Sequence, residues 1–260
     1  MEVIRFTLEG RFAFFKKPDV NTYLYFTYGN IHKIALLGMF GGILGYKGYN
    51  QMSFEKKYEK DFKEISKKAI NDYPEFYERL NKLKIAIAPR DISINKKVQV
   101  FNNSVGYASK EQGGNLIIKE QWLENPSWDI YVAIEDEESK KLSKALVNRD
   151  FVYLPYLGKN DHLADIRDVT IIKEAEKIDN VCEIHSLFVK ENFKFIEEDN
   201  CDDLEKEEVP ILKYEEKLPI SLEETTNKYE FGTFVFTNTK VEKIGEVIVY
   251  RVESKNIMFI

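Results

Sequence analysis

Asn30-Ile-His-Lys-Ile-Ala-Leu-Leu-Gly-Met-Phe-Gly-Gly-Ile-Leu-Gly-Tyr46 is apolar and reads as a helix, yet Gly38, Gly41, Gly42 and Gly45 interrupt it. An interior glycine costs a helix roughly 0.5–1 kcal/mol relative to alanine. Spacings of three and four put these glycines on one helix face. That face is nearly bare backbone, open to close approach by a sheet in tight helix-on-sheet packing or by a nucleic-acid backbone. The uninterrupted apolar run, Ile34 to Tyr46, is 13 residues, and a membrane span needs about 20. His32 and Lys33 precede the run and Lys47 follows it, so a buried helix is expected and no membrane partner.

Outward from this helix, Glu2–Glu9 alternates with Ile4, Phe6 and Leu8 on one face, a first strand. After the helix, Phe54, Tyr58, Phe62, Ile65 and Ala69 recur at helical spacing, so Ser53–Ile70 reads as an amphipathic helix, ended by Pro74. Leu83–Ala88 is a second strand. Asp91–Trp122 reads as a long hairpin with a polar, glycine-bearing tip at Asn102–Asn115. Trp128–Ile134 is a third strand, Ser139–Val147 a helix and Asp150–Tyr156 a fourth strand. Strand–helix–strand–strand–helix–strand with insertions predicts an α+β fold with a ferredoxin-like, RNA-recognition-motif-like core. Residues 1–156 form the expected RNA-binding domain, with a helical insertion at about 53–82 and the hairpin at about 91–122. Residues 157–260 form a smaller C-terminal β-rich region with short strands at Val169–Ile172, Glu183–Val189, Tyr229–Phe236 and Glu246–Val252. Residues 197–208, eight of them acidic, read as a solvated loop.

The net charge of −6 is unevenly spread. Residues 1–130 carry 20 Lys+Arg against 15 Asp+Glu, and residues 131–260 carry 18 against 29. A basic half of +5 is thus joined to an acidic half of −11, a pattern suited to a polyanion on one side and solvent or protein on the other. The two cysteines, Cys182 and Cys201, form no CxxC pair, and Met-Glu-Val-Ile-Arg-Phe at the start has no secretory pattern. A reducing, cytoplasmic setting is expected, with no cofactor. Asp161, His162, Asp165 and Asp168 are too loosely spaced for a metal motif, and no Walker loop, dinucleotide fingerprint or Ser-His-Asp order occurs.

Single-stranded RNA needs cations for its phosphates and flat surfaces for its unstacked bases. Arg11, Lys16, Lys17, Lys33, Arg90, Lys96, Lys97 and Lys110 supply the first; Phe12, Phe14, Phe15, Tyr46, Tyr49, Phe101 and Tyr107 are interleaved with them. The aromatics of Arg11–Lys17 serve equally as core or as stacking platforms. Asn102 and Asn103 offer donors and acceptors to base edges. In Leu157-Gly-Lys-Asn-Asp-His162, Gly158 would let backbone amides face a phosphate, with Lys159 as counter-charge and Asn160 beside it, unless the segment is an ordinary strand-end turn. His32 and Lys33 suit RNA contact or helix capping.

Three blocks, Phe6–Pro18, His32–Gly45 and Pro155-Tyr-Leu-Gly-Lys-Asn-Asp-His-Leu-Ala164, resemble the CRISPR-associated Cas five family of the RAMP superfamily, with the type I-B branch the best match, and their order covers almost the whole chain. The resemblance implies a non-catalytic subunit of the Cascade surveillance complex in antiviral defence. It implies a protruding hairpin "thumb" that grips the 5′ handle of the CRISPR RNA, a cap on the backbone-subunit filament, and contact with the large subunit. One branch of the family, type I-C, cuts precursor CRISPR RNA without metal, using a Lys-His pair beside a tyrosine. Here the hairpin carries Lys110 but no histidine, and His32–Lys33 with Tyr28 does not match that pattern position by position. An endoribonuclease is therefore the alternative expectation. Pure protein scaffolding through the acidic half is compatible with either reading.

Overall fold

The computed structural model describes residues 1–19, 23–53, 73–91, 93–103, 110, 116–196 and 211–260. The first strand, β1 (Val3–Glu9), is followed by the short β2 (Phe12–Ala13) and by helix α1 (Lys33–Leu44). Helix α2 (Glu75–Leu80) leads into β3 (Ile85–Pro89); β4 (Lys96–Asn103) and β5 (Leu116–Glu124) form the hairpin; β6 (Ser127–Ala133) runs into α3 (Glu137–Asn148). Next come β7 (Asp165–Ile172), β8 (Ala175–Ile178), β9 (Phe188–Val189) and β10 (Phe193–Phe195). The chain ends in β11 (Lys213–Leu222), β12 (Tyr229–Thr237), β13 (Val241–Lys243), β14 (Val249–Val252) and β15 (Lys255–Met258).

The fold is mixed α and β with antiparallel sheets. The central sheet has the order β3-β6-β1-β7, with Phe6 opposite Ile130 and Ile87 also opposite Ile130. Alternation in β1 sends Ile4, Phe6 and Leu8 toward α1 and α3, where they meet Leu36, Leu37, Phe40, Leu142 and Leu146 in the main core. Helix α3 starts where Asp136 and Ser139 exchange hydrogen bonds in a capping box. The other face of the sheet is also covered: Val3, Ala86, Ala88 and Tyr131 pack on Ala175, Tyr250, Val252 and Ile257 of the β8-β14-β15 sheet. On that side of β1 only Val3 joins the second apolar cluster, and Arg5 and Thr7 make polar contacts with Glu253, Asp129 and Asp168.

The sequence reading needs correction at the fourth strand. Asp150–Tyr156 is not a strand; that place is taken by β7, past the expected boundary at 156. The Val152 and Tyr153 N–H groups donate to the carbonyls of Ile43 (3.0 Å) and Gly42 (3.3 Å), completing the C-terminal turn of α1 instead of a ladder. The C-terminal region also shares the main core, through Leu187, Leu218, Leu222 and Phe234, besides a small cluster of its own around Phe188, Phe193 and Val235. Of the strand expected at Glu183–Val189 only Phe188–Val189 forms. The helix expected over 53–70 lies, apart from Ser53, outside the described residues, as do residues 197–208 and the hairpin tip except Asn102, Asn103 and Lys110. Among the described residues no helix is long and apolar enough to cross a membrane.

Candidate nucleic-acid interface

The glycines of helix α1 differ in what they meet. A Cβ on Gly41 would lie 2.4 Å from Phe76 Cβ, so this glycine lets α2 pack against α1. Gly38 and Gly42 face open space, and Gly45 (φ 76°) closes the helix in a left-handed cap. His32 is 5% exposed and is the N-cap: its Nδ1 accepts from the Ala35 N–H at 3.2 Å, and rings of Phe15, Tyr28 and Tyr229 surround it. Burial pulls its pKa down to about 3. In this structure His32 is a buried cap of α1, the capping role that the sequence offered beside RNA contact. Lys33 is partly buried beside it, and burial lowers its pKa as well.

The other candidates divide into groups. Lys17 pairs with the Glu216 carboxylate, which also accepts from the Gly29 N–H at 2.7 Å and the Tyr214 hydroxyl at 2.5 Å. Lys96 is exposed near that carboxylate. Lys16 sits over the Tyr25 ring at 4.1 Å. Arg90 donates to Thr7 Oγ1 at 3.3 Å and lies 3.8 Å from Asp129, on the sheet face opposite α1. Asn102 and Lys110 are exposed, Asn103 is in β4 opposite Leu116, and Tyr107 lies outside the described residues.

A compact cationic–aromatic platform forms where β2, the hairpin base and the loop 157–162 converge. The ladder places Lys97 opposite Trp122 and Phe101 opposite Ile118, so Lys97, Phe101, Glu120 and Trp122 share one hairpin face. Lys97 Nζ stands 3.7 Å from the Phe12 ring centre, which Arg11 also covers at 5.2 Å. Lys159 Nζ lies 5.2 Å from Phe101, 5.4 Å from Trp122 and 5.9 Å from Phe14. A cation within about 6 Å of a ring centre is attracted by that ring's quadrupole. The nearly buried Glu120 carboxylate accepts from Trp122 Nε1 at 2.7 Å and pairs with Lys159 at 2.9 Å. Lys159 is thus neutralised internally, while Arg11 and Lys97 leave the platform positive.

The loop is held by close backbone contact. A Cβ on Gly158 (φ 85°) would lie 1.9 Å from the Phe14 carbonyl oxygen, and the Phe14 N–H donates to the Leu157 carbonyl at 3.0 Å. Gly158 therefore serves the close approach of Phe14, the residue after β2; Asn160 is exposed at the loop tip. Phe14 and Phe15 are core residues, whereas Phe12 is partly open. Sequence reasoning missed Glu120, Trp122 and His162. Period-two spacing put Glu120 and Trp122 on one strand face, but only the register shows that Lys97 lies across from them. His162 is buried beneath Trp122, ring centres 4.4 Å apart and edge-on, and 6.1 Å from Phe12.

No protein-family model matches the chain, and no curated protein matches it. The chain is similar in fold to a solved structure described as a CRISPR RNA-guided surveillance complex, with TM-score 0.51 and 11% identity over 93% of this chain and 91% of that one. A CRISPR protein from Archaeoglobus fulgidus aligns with TM-score 0.48 and 11% identity over 99% and 98% of the two chains.

Proposed function

We propose that this chain is a non-catalytic, RNA-holding subunit of a CRISPR RNA-guided complex, a Cas five subunit of the type I-B branch. It binds the 5′ handle of the CRISPR RNA, caps the backbone filament and meets the large subunit in the cytoplasm. The observation that carries this reading is the platform: Arg11 and Lys97 around the partly open rings of Phe12 and Trp122, beside the exposed loop tip at Asn160. Open rings flanked by cations suit unstacked bases on a phosphate backbone. The strand order β3-β6-β1-β7, with helices on one face, supports a ferredoxin-like core, and the β4–β5 hairpin supports a thumb. The fold likeness to a chain described as a CRISPR RNA-guided surveillance complex supports the part of the reading that makes this chain a subunit of such a complex. For the non-catalytic part, His32 is buried with Nδ1 occupied and His162 is buried, so neither imidazole is placed to take a proton from an RNA hydroxyl at the surface.

The test is RNA retention by the assembled complex. Arg11, Lys96 and Lys97 are exposed or half-exposed cations around the platform and the hairpin base. Three neutralised phosphates give a log–log salt slope of about −2, at about −0.7 each, and roughly a twenty-fold loss of affinity for a fourfold rise in salt. Crosslinked RNA should map to Arg11–Phe12 and Lys97, and repeat RNA should stay intact in EDTA. Salt-insensitive retention would defeat the platform reading, and site-specific cutting would promote the ribonuclease reading.

A further inference from the structure

Strand β4 is the outer strand of the β2-β5-β4 sheet, and among the described residues it pairs with β5 alone. The far side of β5 shows which way the backbone of β4 points. There the Tyr25 N–H donates to the Lys119 carbonyl at 2.9 Å, and the Gln121 N–H donates to the Tyr25 carbonyl at 2.8 Å. In an antiparallel ladder hydrogen-bonded and non-hydrogen-bonded pairs alternate. Lys119 and Gln121 are thus the non-bonded partners of Val100 and Val98. Val98 and Val100 therefore turn their N–H and C=O groups to the open edge. The Val100 carbonyl meets the side-chain amide of its neighbour Gln99 at 3.3 Å, a surface contact that another donor can replace.

Edge strands are ordinarily blunted by bulges, proline, charge or shortness. The other edges of this fold are. β7 has a bulge and carries Asp165, Arg167 and Asp168; β11 has a bulge and Pro219; β8 and β15 are four residues each. β4 runs eight residues in unbroken register without proline, and Val98–Asn103 carries no charge. Beside this edge the hairpin face turned away from the platform is apolar, with Val98 53%, Val100 50% and Ile117 58% exposed. Lys96 and Lys119 stand on the same face.

We propose that the open edge of β4 receives an extended strand of a partner protein, one in which carboxylates flank alternating apolar residues. Unpaired donors and acceptors in a row select an extended backbone, because a helix uses its own backbone groups internally. The apolar strip selects apolar side chains at alternate positions, and Lys96 and Lys119 select carboxylates beside them. An RNA backbone offers its phosphates as acceptors and would lie on valine and isoleucine. A second copy of β4 brings no carboxylate to the lysines. The inference goes beyond the RNA-binding reading and does not depend on it: the platform occupies the opposite face of the hairpin.

The experiment is hydrogen exchange resolved to single amides, comparing the isolated chain with the chain in the complex purified from its own cells. The Val98 and Val100 amides should exchange fast in the isolated chain and slow by about a hundred-fold in the complex. The Gln99 and Phe101 amides, bonded to β5, should be slow in both. Val100→Pro removes an outward donor and leaves the ladder to β5 intact. It should keep the slow Gln99 amide and weaken retention of the partner protein about ten-fold. A photocrosslinker at position 98 should map to a partner segment that alternates apolar residues with Asp or Glu. Unslowed Val98 and Val100 amides in the complex would overturn the inference, as would crosslinks to RNA or to a second copy of this chain. A chain purified with RNA and no protein overturns it and leaves the RNA-binding reading standing. A chain purified with protein and no RNA, with the two amides slowed, supports it and defeats that reading.

Discussion

Helix α1 and the loop Leu157–His162 each combine glycine with a buried histidine, and use them in opposite ways. In α1 the histidine belongs to the fold, because His32 caps the helix through Nδ1, while Gly38 and Gly42 face open space. In the loop the glycine belongs to the fold, because Gly158 lies against the Phe14 carbonyl, while the nitrogens of His162 are unpartnered. A run of glycines on one face therefore does not by itself mark a contact, and a turn glycine does not by itself mark a phosphate site. What separates the two regions is which polar atoms the fold leaves unpaired.

The largest effect should come from breaking the close contacts. Alanine at 158 combines a left-handed backbone, costing about 1 kcal/mol or more, with overlap against a backbone carbonyl that cannot swing aside, worth another 1–3 kcal/mol or so. Gly158→Ala should lose about 3 kcal/mol in urea unfolding. Gly41→Ala, whose methyl meets Phe76 Cβ at 2.4 Å, should lose about 2 kcal/mol. Losses below about 1 kcal/mol in both variants would mean that the loop and α2 yield freely, and the contrast with Gly38 and Gly42 would collapse.

That contrast also shows where the sequence was legible. Alternation in β1, the apolar run of β3 and the helix over Ser139–Val147 were readable because they are local. Spacing showed that the α1 glycines share a face, but not that Phe76 opposes only one of them. Asp150–Tyr156 carries Val152, Tyr153 and Leu154, good strand formers, yet its N–H groups complete α1. The true fourth strand, Asp165-Ile-Arg-Asp-Val-Thr-Ile-Ile172, is half polar because it lies at the sheet edge. The cations Arg11, Lys97 and Lys159 were visible as charges. Their meeting depends on a ladder register and on a loop distant in sequence, and Lys17 and Lys159 proved to be paired with Glu216 and Glu120.

Acid sharpens the difference between the histidines. The His32 pKa is drawn by burial to about 3 in the folded chain, against an ordinary value near 6.5 when unfolded. Between those values the unfolded state binds the extra proton. Stability is therefore whole above about pH 6.5 and falls as pH drops toward 3. From pH 7 to pH 5 the loss attributable to His32 is about 2 kcal/mol. His162, whose pKa burial also lowers, adds to it in the same direction. His32→Asn retains a side chain suited to N-caps and cannot titrate, so urea midpoints for this variant should converge at the two pH values by that amount. An unchanged gap would show that His32 is solvated or charged in the fold, contrary to its place as a buried cap.

The smallest expected effect concerns the glycines that touch nothing. Among the described residues no atom outside the backbone of α1 and the adjoining residues lies within 4 Å of a Cβ built on Gly38 or Gly42, and both have helical backbone within α1. Alanine there adds no clash and restricts the unfolded chain, so each substitution should stabilise the isolated protein by about 0.5–1 kcal/mol. Measured on the assembled complex, the same variants decide what α1 is for. Raised stability with unchanged RNA retention leaves the helix a structural element whose glycines are merely tolerated. Raised stability of the isolated chain with weakened RNA retention would mean that RNA backbone approaches Gly38 and Gly42 after all. The added methyl would then obstruct only the complex, and the interface would extend from the platform onto α1.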